Sequence, residues 1–380
     1  MTRDPAFLAE CRALVRELGT RPTLAALRSP PDGPALERRL GALLATIRRH
    51  VPAAAPAAPA DGSRVRAVHW NIEHGNQYAR VEEALRTDAR LAGADIVTLC
   101  EVDLGMARAG NRDVAADLGA ALGLHAVWAP LFLETTPGRH DDAASSGGRE
   151  NQEALFGIAV LSRWPISDAR IVELPSPTQY QFDVEGMYGR FIALAATIER
   201  PGAPFVAVAV HLEVHRTRRH RAAQVAALME ALRAGRHPVI LGGDFNTHTF
   251  DRGRWLDPYR GALVFAAYPG PMLRRRLLWP ERGGAREPLF DALGTAGFEW
   301  EQFNDRRPTL ALRFTRVPEA TGMLASPAAR AFLRWPERRA LLKLDWFAGR
   351  GWSAGRGETV TGLDGPGRAS DHAPLIAEFW

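Results

Sequence analysis

Apolar positions along the chain follow two rhythms. Up to about His50 they recur at helical spacing: Leu8, Cys11, Leu14, Val15 and Leu18 form one stripe, and Leu36, Leu40, Leu43, Leu44 and Ile47 another. The run Pro30-Pro31-Asp32-Gly33 between them reads as a turn. The spacing predicts a helical segment from Pro5 to about His50. Amphipathic helices of this kind usually bury their stripe against a larger body, and docking to a partner is the other reading of the same stripes. Pro52 to Gly62 follows as a Pro/Ala linker, poor at forming either helix or strand. Residues 1–62 are therefore read as a helical extension with its linker, and 63–380 as the main domain.

From Arg64 onward the rhythm changes. Short apolar runs at Val65–Trp70, Asp95–Cys100, Leu155–Ser162, Phe191–Ile198, Phe205–Val210, Val239–Gly242 and Leu375–Phe379 predict strands. Helix-like stretches such as Asp113–Leu122 and Thr217–Arg233 lie between them. Strands interleaved with helices predict a layered α/β sandwich. The Ser/Gly/Asp-rich stretch from Thr135 to Gly148 reads as a loop, and Pro318–Leu342 as an inserted helical segment.

Composition narrows the function classes. At 380 residues with 46% hydrophobic content, a packed core is expected. No apolar run reaches the roughly 18 residues of a membrane helix. Arg3, Asp4, Glu10, Arg12 and Glu17 leave the N-terminus without the apolar core of a signal peptide, so a cytoplasmic protein is expected. Two cysteines, Cys11 and Cys100, provide neither a disulfide framework nor a thiolate zinc site. The net charge of +5 is carried almost wholly by arginine, with Lys343 the single lysine. That pattern is as much compositional as functional and gives only a mild bias toward anionic partners. Nothing in it specifies an oligomeric state.

The chemistry is concentrated where apolar runs end. Val65–Trp70 delivers Asn71 and Glu73; Asp95–Cys100 delivers Glu101; Val239–Gly243 delivers Asp244 and Asn246. Asp371 and His372 stand just before the last run. Strand ends on one edge of a sheet converge in space while remaining far apart in sequence. Glu73, Glu101, Asp244 and Asp371 brought together would repel one another, so protonation or a bound cation must relieve them. An oxygen-rich donor set without a thiolate suits Mg²⁺ or Mn²⁺.

Six motifs occur in order: Trp70-Asn71-Ile72-Glu73, Leu99-Cys100-Glu101, Val210-His211-Leu212, Gly242-Gly243-Asp244-Phe245-Asn246, Leu344-Asp345-Trp346 and Ser370-Asp371-His372. Together they resemble the endonuclease/exonuclease/phosphatase superfamily, over Arg64 to Trp380. The resemblance implies a four-layered α/β sandwich, two mixed β-sheets flanked by helices, and Mg²⁺-dependent hydrolysis of a phosphodiester or phosphomonoester. A DNA or RNA nuclease is one alternative it leaves open, and a non-catalytic binding protein on the same fold is the other. It further implies Glu101 as the main metal carboxylate, with Asn71 beside it, Glu73 completing the shell through water, and Asp371 near the metal. Asp244 would activate the attacking water and Asn246 would hold it. His372 would stabilise the transition state, oriented by Asp345, and His211 would act as acid or oxyanion donor.

Several positions stand apart from the family pattern or compete with it. Cys100 precedes Glu101 where a polar residue is common, and Ile158 stands where an Asn is common. Thr309 resembles the Thr ahead of the final strands. The run His215-Arg216-Thr217-Arg218-Arg219-His220-Arg221 reads more as a solvated helix face than as a phosphate-binding patch, and Arg274–Arg276 likewise. Trp128, Phe132, Tyr180, Phe182 and Tyr188 are candidates for stacking or for core.

Overall fold

The computed structural model describes residues 4–54, 64–138, 141–176, 179, 181–247, 257–283, 286–313, 326–365 and 367–380. Helices α1 (Pro5–Gly19), α2 (Leu24–Arg28) and α3 (Gly33–Leu44) open the chain. Each of the first two starts on a side-chain cap: Asp4 accepts from the Ala6 and Phe7 N–H groups, and Thr23 from Ala26. The predicted stripes are the buried faces, with Cys11, Leu14, Leu18, Leu36, Leu40, Leu43 and Leu44 all in the core. The helical expectation fails at its end, because Arg48–His50 is a strand, β1, whose three residues are polar and carry no apolar signal. Tyr188 Oη donates to the carbonyls of Leu18 and Arg21 at 3.1 and 2.6 Å, tying the extension to the main body. The expected linker falls mostly on residues 55–63, outside the described residues.

In chain order the main body continues with β2 (Val65–Asn71), α4 (Tyr78–Thr87), β3 (Ile96–Leu104), α5 (Val114–Leu122), β4 (His125–Glu134), α6 (Asp141–Ser145), β5 (Leu155–Ser162), β6 (Ile166–Glu173), β7 (Met187–Gly189), β8 (Ile192–Ile198) and β9 (Phe205–His211). Then come α7 (Arg218–Leu232), β10 (Val239–Asp244), α8 (Asp257–Ala267), α9 (Gly270–Leu278), α10 (Leu289–Thr295), β11 (Leu310–Ala311), α11 (Pro327–Glu337), β12 (Leu341–Leu342), β13 (Asp345–Arg350), β14 (Gly355–Thr359) and β15 (Leu375–Phe379). The Thr135–Gly148 stretch, read as loop, contains α6, with 139–140 outside the described residues. The segment read as helical over Pro318–Leu342 holds α11 and then β12; its residues 318–325 are outside the described residues.

The strands form two mixed sheets. The first has the order β1-β4-β5-β3-β2-β15-β14, with β7 also on β4, and the second β13-β10-β9-β8-β6. Each contains one parallel pair, β2 with β3 and β9 with β10, among antiparallel neighbours. A short ribbon of β11 and β12 stands apart. Alternation along β2 sends Val65 and Ala67 toward the second sheet, and Val68 and Trp70 toward the helices. Leu14, Leu40, Leu43, Val81, Leu85 and Leu118 of α1, α3, α4 and α5 cover that outer side. Over the second sheet α10 presses Phe290 edge-on against Trp346, with ring centroids 5.0 Å apart, and α7 adds Val225, Leu228 and Leu232. Helices, sheet, sheet and helices make four layers.

The two sheets approach most closely beside the site. A Cβ on Gly242 would lie 2.3 Å from Thr98 Oγ1, so only glycine lets β10 pass across β2 and β3 there. No helix among the described residues is long and apolar enough to cross a membrane.

Candidate functional site

Register decides which side chains meet. In the second sheet His211 stands opposite Asp244, and Asp244 opposite Asp345. Paired residues share a face, so all three side chains project from one end of this sheet toward the other. On the facing sheet β2 ends in Asn71. Its neighbour β15 is preceded by Ser370-Asp371-His372. Ser370 Oγ donates to the Asn71 carbonyl at 2.7 Å and accepts from the His372 N–H at 3.1 Å. Trp70 Nε1 donates to the His372 carbonyl at 2.9 Å. These bonds fix the approach of the last loop to the end of β2.

Glu101 reaches the site by breaking the strand pattern. Strict alternation would send it to the helix-covered face with Leu99. The register of β3 on β5 shifts between Leu99 and Val102, and Glu101 adopts φ 54°. A bulge of this kind re-aims a side chain. Asn71 Nδ2 then donates to Glu101 Oε1 at 3.0 Å and to Asp244 Oδ2 at 3.2 Å, joining the two sheets. Its Oδ1 accepts from the Glu73 N–H at 3.1 Å. Glu73, His74 and Asn246 also have left-handed φ of 46°, 65° and 48°. Four non-glycine residues held there within one small region mark a site whose surroundings sustain backbone strain.

Asp244 lies between two imidazoles, with His211 Nε2 at 3.7 Å and His372 Nε2 at 3.9 Å from its Oδ2. Its Oδ1 accepts from the Asn246 N–H at 2.9 Å, and Asn246 Nδ2 donates to the Leu212 carbonyl at 2.7 Å. His372 Nδ1 donates to Asp345 Oδ2 at 2.8 Å. The other Asp345 oxygen accepts from His69 Nε2 at 3.3 Å, and His69 Nδ1 meets Thr98 Oγ1 at 3.0 Å. Thr309 Oγ1 accepts from the Leu344 and Asp345 N–H groups, holding Asp345 in place.

Burial pushes the Glu101 carboxyl up to about 8, with Asp371 adding repulsion. Burial raises Asp371 as well. For His372 burial opposes the proton, yet the facing Asp345 outweighs it and holds the imidazole well above its usual value. Burial likewise opposes the charge on Asp345, and His372 overcomes it, keeping this carboxyl ionised far below the usual range. Burial depresses His211, which is therefore neutral near pH 7. The site thus pairs a charged imidazole with a neutral one on either side of Asp244.

Of the nine residues singled out in sequence, seven are linked by side-chain contacts or direct charge interaction. These are Asn71, Glu101, His211, Asp244, Asp345, Asp371 and His372. Glu73 and Asn246 join them through their backbone N–H groups. His69, Ser370 and His74 were not singled out. His69 looks like strand filler, although its place two before Asn71 puts both on one face. His74 Nε2 lies 3.5 Å from Glu101 Oε2 and 3.7 Å from Asp142 Oδ2. Cys100 turns its thiol inward, donating to the Val210 carbonyl at 3.2 Å, and Ile158 is buried between the sheets. The run at His215–Arg221 is solvated only in part: Thr217 and Arg219 are exposed, whereas Arg221 is fully buried on Glu287 at 2.7 Å, and His220 and Arg216 face Glu213. Trp128, Phe132, Phe182 and Tyr188 are core residues; Tyr180 lies outside the described residues.

Among the described residues no Arg or Lys pairs with Glu101, Asp244 or Asp371. Carboxylates collected with His372 as their one charged imidazole and without an Arg or Lys partner among the described residues, one of them retaining its proton up to about 8, make a cradle suited to a hard divalent cation. Donor atoms of Asp244, Asp345 and His372 also lie within 4.8 Å of one another. Both Asp345 oxygens are already engaged by histidine nitrogens.

The family model described as Endonuclease/Exonuclease/phosphatase family matches residues 68–372. Among solved structures, an endonuclease/exonuclease/phosphatase family protein from Leptotrichia buccalis aligns with a TM-score of 0.50 at 13% identity, covering 83% of this chain and 99% of that one. An endonuclease/exonuclease/phosphatase from Beutenbergia cavernae gives 0.49 at 19% identity, covering 83% and 71%. The human Nocturnin catalytic domain with bound sulfate anion gives 0.44 at 17% identity, covering 83% and 93%. No curated protein sequence matches. Structural likeness at such identities speaks to the fold alone; the family match carries the assignment. Members of this family are generally hydrolases of phosphoester bonds. On a match that runs from the inner part of β2 to His372, the chain belongs to the endonuclease/exonuclease/phosphatase family.

Proposed function

We propose that this protein is a Mg²⁺- or Mn²⁺-dependent phosphoesterase in which a water activated by Asp244 attacks phosphorus in line with the leaving oxygen. The observation that carries this reading is Asp244 flanked by His211 and His372, and joined through Asn71 to the uncompensated carboxylate Glu101. Glu101 and Asp371, with Glu73 acting through water and Asn71 beside them, would hold the ion. When bound, it supplies charge neutralisation and Lewis-acid polarisation of the scissile phosphate.

The remaining work falls to the chain's own groups. Asp244 Oδ2 accepts the water proton, and the Asn246 N–H on Oδ1 keeps that carboxylate aimed. His372, charged and fixed by Asp345, donates its Nε2–H to a non-bridging oxygen as negative charge builds there. Neutral His211 supplies a second donor or protonates the leaving oxygen. His69 and Thr309 hold Asp345 so that His372 keeps one tautomer and one orientation.

Metal binding is expected to depend on pH. Because Glu101 without metal keeps its proton up to about 8, binding must displace that proton. Affinity for Mg²⁺ or Mn²⁺ falls by up to about tenfold per unit as pH drops from 8 to 6. Calorimetric titration in buffers of different ionisation heat reads both the affinity and the proton released; pH-independent binding would contradict this assignment. Hydrolysis of bis(p-nitrophenyl) phosphate, p-nitrophenyl phosphate, plasmid DNA and RNA then ranks the substrate classes. A monoester preference argues for a phosphatase. Cleavage of the polymers argues for the nuclease alternative.

A further inference from the structure

The chain just after Glu73 helps to line a cavity of about 520 Å³ whose walls include Arg80, Arg112, Arg149, Tyr78 and Asn76, with Arg108 at one side. It begins at Gly75, two residues beyond Glu73. Among the described residues no Asp or Glu lines it. The acids of this region are turned onto Arg108 instead, which holds Asp103 at 2.8 Å, Glu134 at 2.6 Å and Asp142 at 3.5 Å. Arg108 is therefore wall, its charge already matched by buried acids, while Arg80, Arg112 and Arg149 are exposed and, among the described residues, only Arg112 of them is paired, with Asp117 at the surface.

Two of those three are set in place. Arg149 is braced by donating Nε to the Ser146 carbonyl at 3.0 Å and Nη2 to the Ala107 carbonyl at 3.1 Å. Arg112 lies over the Tyr78 ring, its Cζ 4.4 Å from the centroid, and donates Nη1 to Asp117 at 3.2 Å. The Arg80 guanidinium has no hydrogen-bond or ion-pair partner among the described residues. Its Nη1 lies 3.8 Å from where a Cβ on Gly367 would stand, next to the loop that carries Asp371. Arg80 thus lies between the cavity and the loop that leads to Asp371. The cavity also takes in the start of α4, where Gln77 occupies the cap position without a side-chain cap. First-turn N–H groups left without a cap favour negative charge.

We infer that this arginine-lined cavity is a subsite for a second phosphate group of the substrate, so that the enzyme acts on compounds carrying two phosphates rather than on an isolated ester. Arg112 and Arg149 present planar, pre-positioned donors to it, and Arg80 tracks the stretch between the two phosphates. This rests on the phosphoesterase reading of the neighbouring site and adds a substrate class to it.

The test compares thymidine 5′-(p-nitrophenyl phosphate) with the same compound phosphorylated at the 3′ position, in Mg²⁺. For the wild type the ratio of kcat/KM, bisphosphorylated over singly phosphorylated, is expected to be about tenfold or more, and to shrink as salt rises. In Arg80→Gln/Arg112→Gln the ratio is expected to fall at least about fivefold. Both side chains are exposed, so the variant folds. A wild-type ratio near one, or a ratio the variant leaves unmoved, overturns the subsite. If neither compound is hydrolysed, the phosphoesterase reading falls separately, and the cavity is judged on inorganic phosphate binding in EDTA. There, binding weakened in the variant supports the subsite, and equal binding overturns it.

Discussion

Replacing Asp244 by asparagine is expected to lower kcat by about 10²- to 10⁴-fold, the range in which a positioned general base contributes. The substitution keeps size and shape. An asparagine oxygen can still accept from the Asn246 N–H, which now meets Asp244 Oδ1 at 2.9 Å. What is lost is the carboxylate between His211 and His372 that is proposed to take the water proton. The loss should therefore fall on kcat, with metal affinity held mainly by Glu101. A variant that keeps more than about a tenth of wild-type kcat would remove Asp244 from the role of base.

Glu101→Gln is expected to separate stability from activity. In the unfolded chain a glutamate ionises near 4.3, whereas the folded, metal-free protein holds the Glu101 proton up to about 8. The folded state therefore binds more protons than the unfolded state between those values, and metal-free stability falls as pH rises through that window. Glutamine keeps an acceptor for the Asn71 N–H, now 3.0 Å from Glu101 Oε1, without a charge to bury. At pH 8 in EDTA the variant should be more stable than the wild type by about 1–3 kcal/mol, measured by denaturant unfolding. Added Mg²⁺ should stabilise the wild type and leave the variant nearly unchanged. Turnover in Mg²⁺ should drop by about 10²-fold or more, because several kcal/mol of transition-state stabilisation depend on the ion this carboxylate holds. A variant less stable than wild type in EDTA at pH 8 would show that Glu101 is not the strained, uncompensated charge described above.

The clustering of the candidate site residues was legible in the sequence, and so were the strands that deliver most of them. Asn71, Glu101, Asp244 and His372 stand at the ends of apolar runs, where a polar residue interrupts a pattern strongly enough to be seen. The runs themselves became β2, β3, β5, β8, β9, β10 and β15. Hidden from the pattern were β1, all polar, β6, an edge strand with alternating exposure, and β14, whose Gly-Arg-Gly-Glu-Thr carries almost no apolar signal. Those strands exist because a neighbour offers hydrogen bonds, which is information about tertiary context and not about local propensity. The same holds within the site. Alternation alone misplaces Glu101, because the bulge that turns it inward depends on how β3 meets β5. His69 is invisible as a support for Asp345 until β2 and β13 face each other across the gap that Gly242 leaves.

The decisive measurement is hydrolysis of bis(p-nitrophenyl) phosphate by the wild type, Glu101→Gln and His372→Ala, each in Mg²⁺ and in EDTA. The proposed function predicts turnover by the wild type in Mg²⁺, its disappearance in EDTA, and a fall of about 10²-fold or more in both variants, since one would lack the proposed metal carboxylate and the other the proposed charged donor. Turnover that survives EDTA, or that both variants retain at the wild-type level, would contradict a metal-dependent phosphoesterase site at this edge of the two sheets.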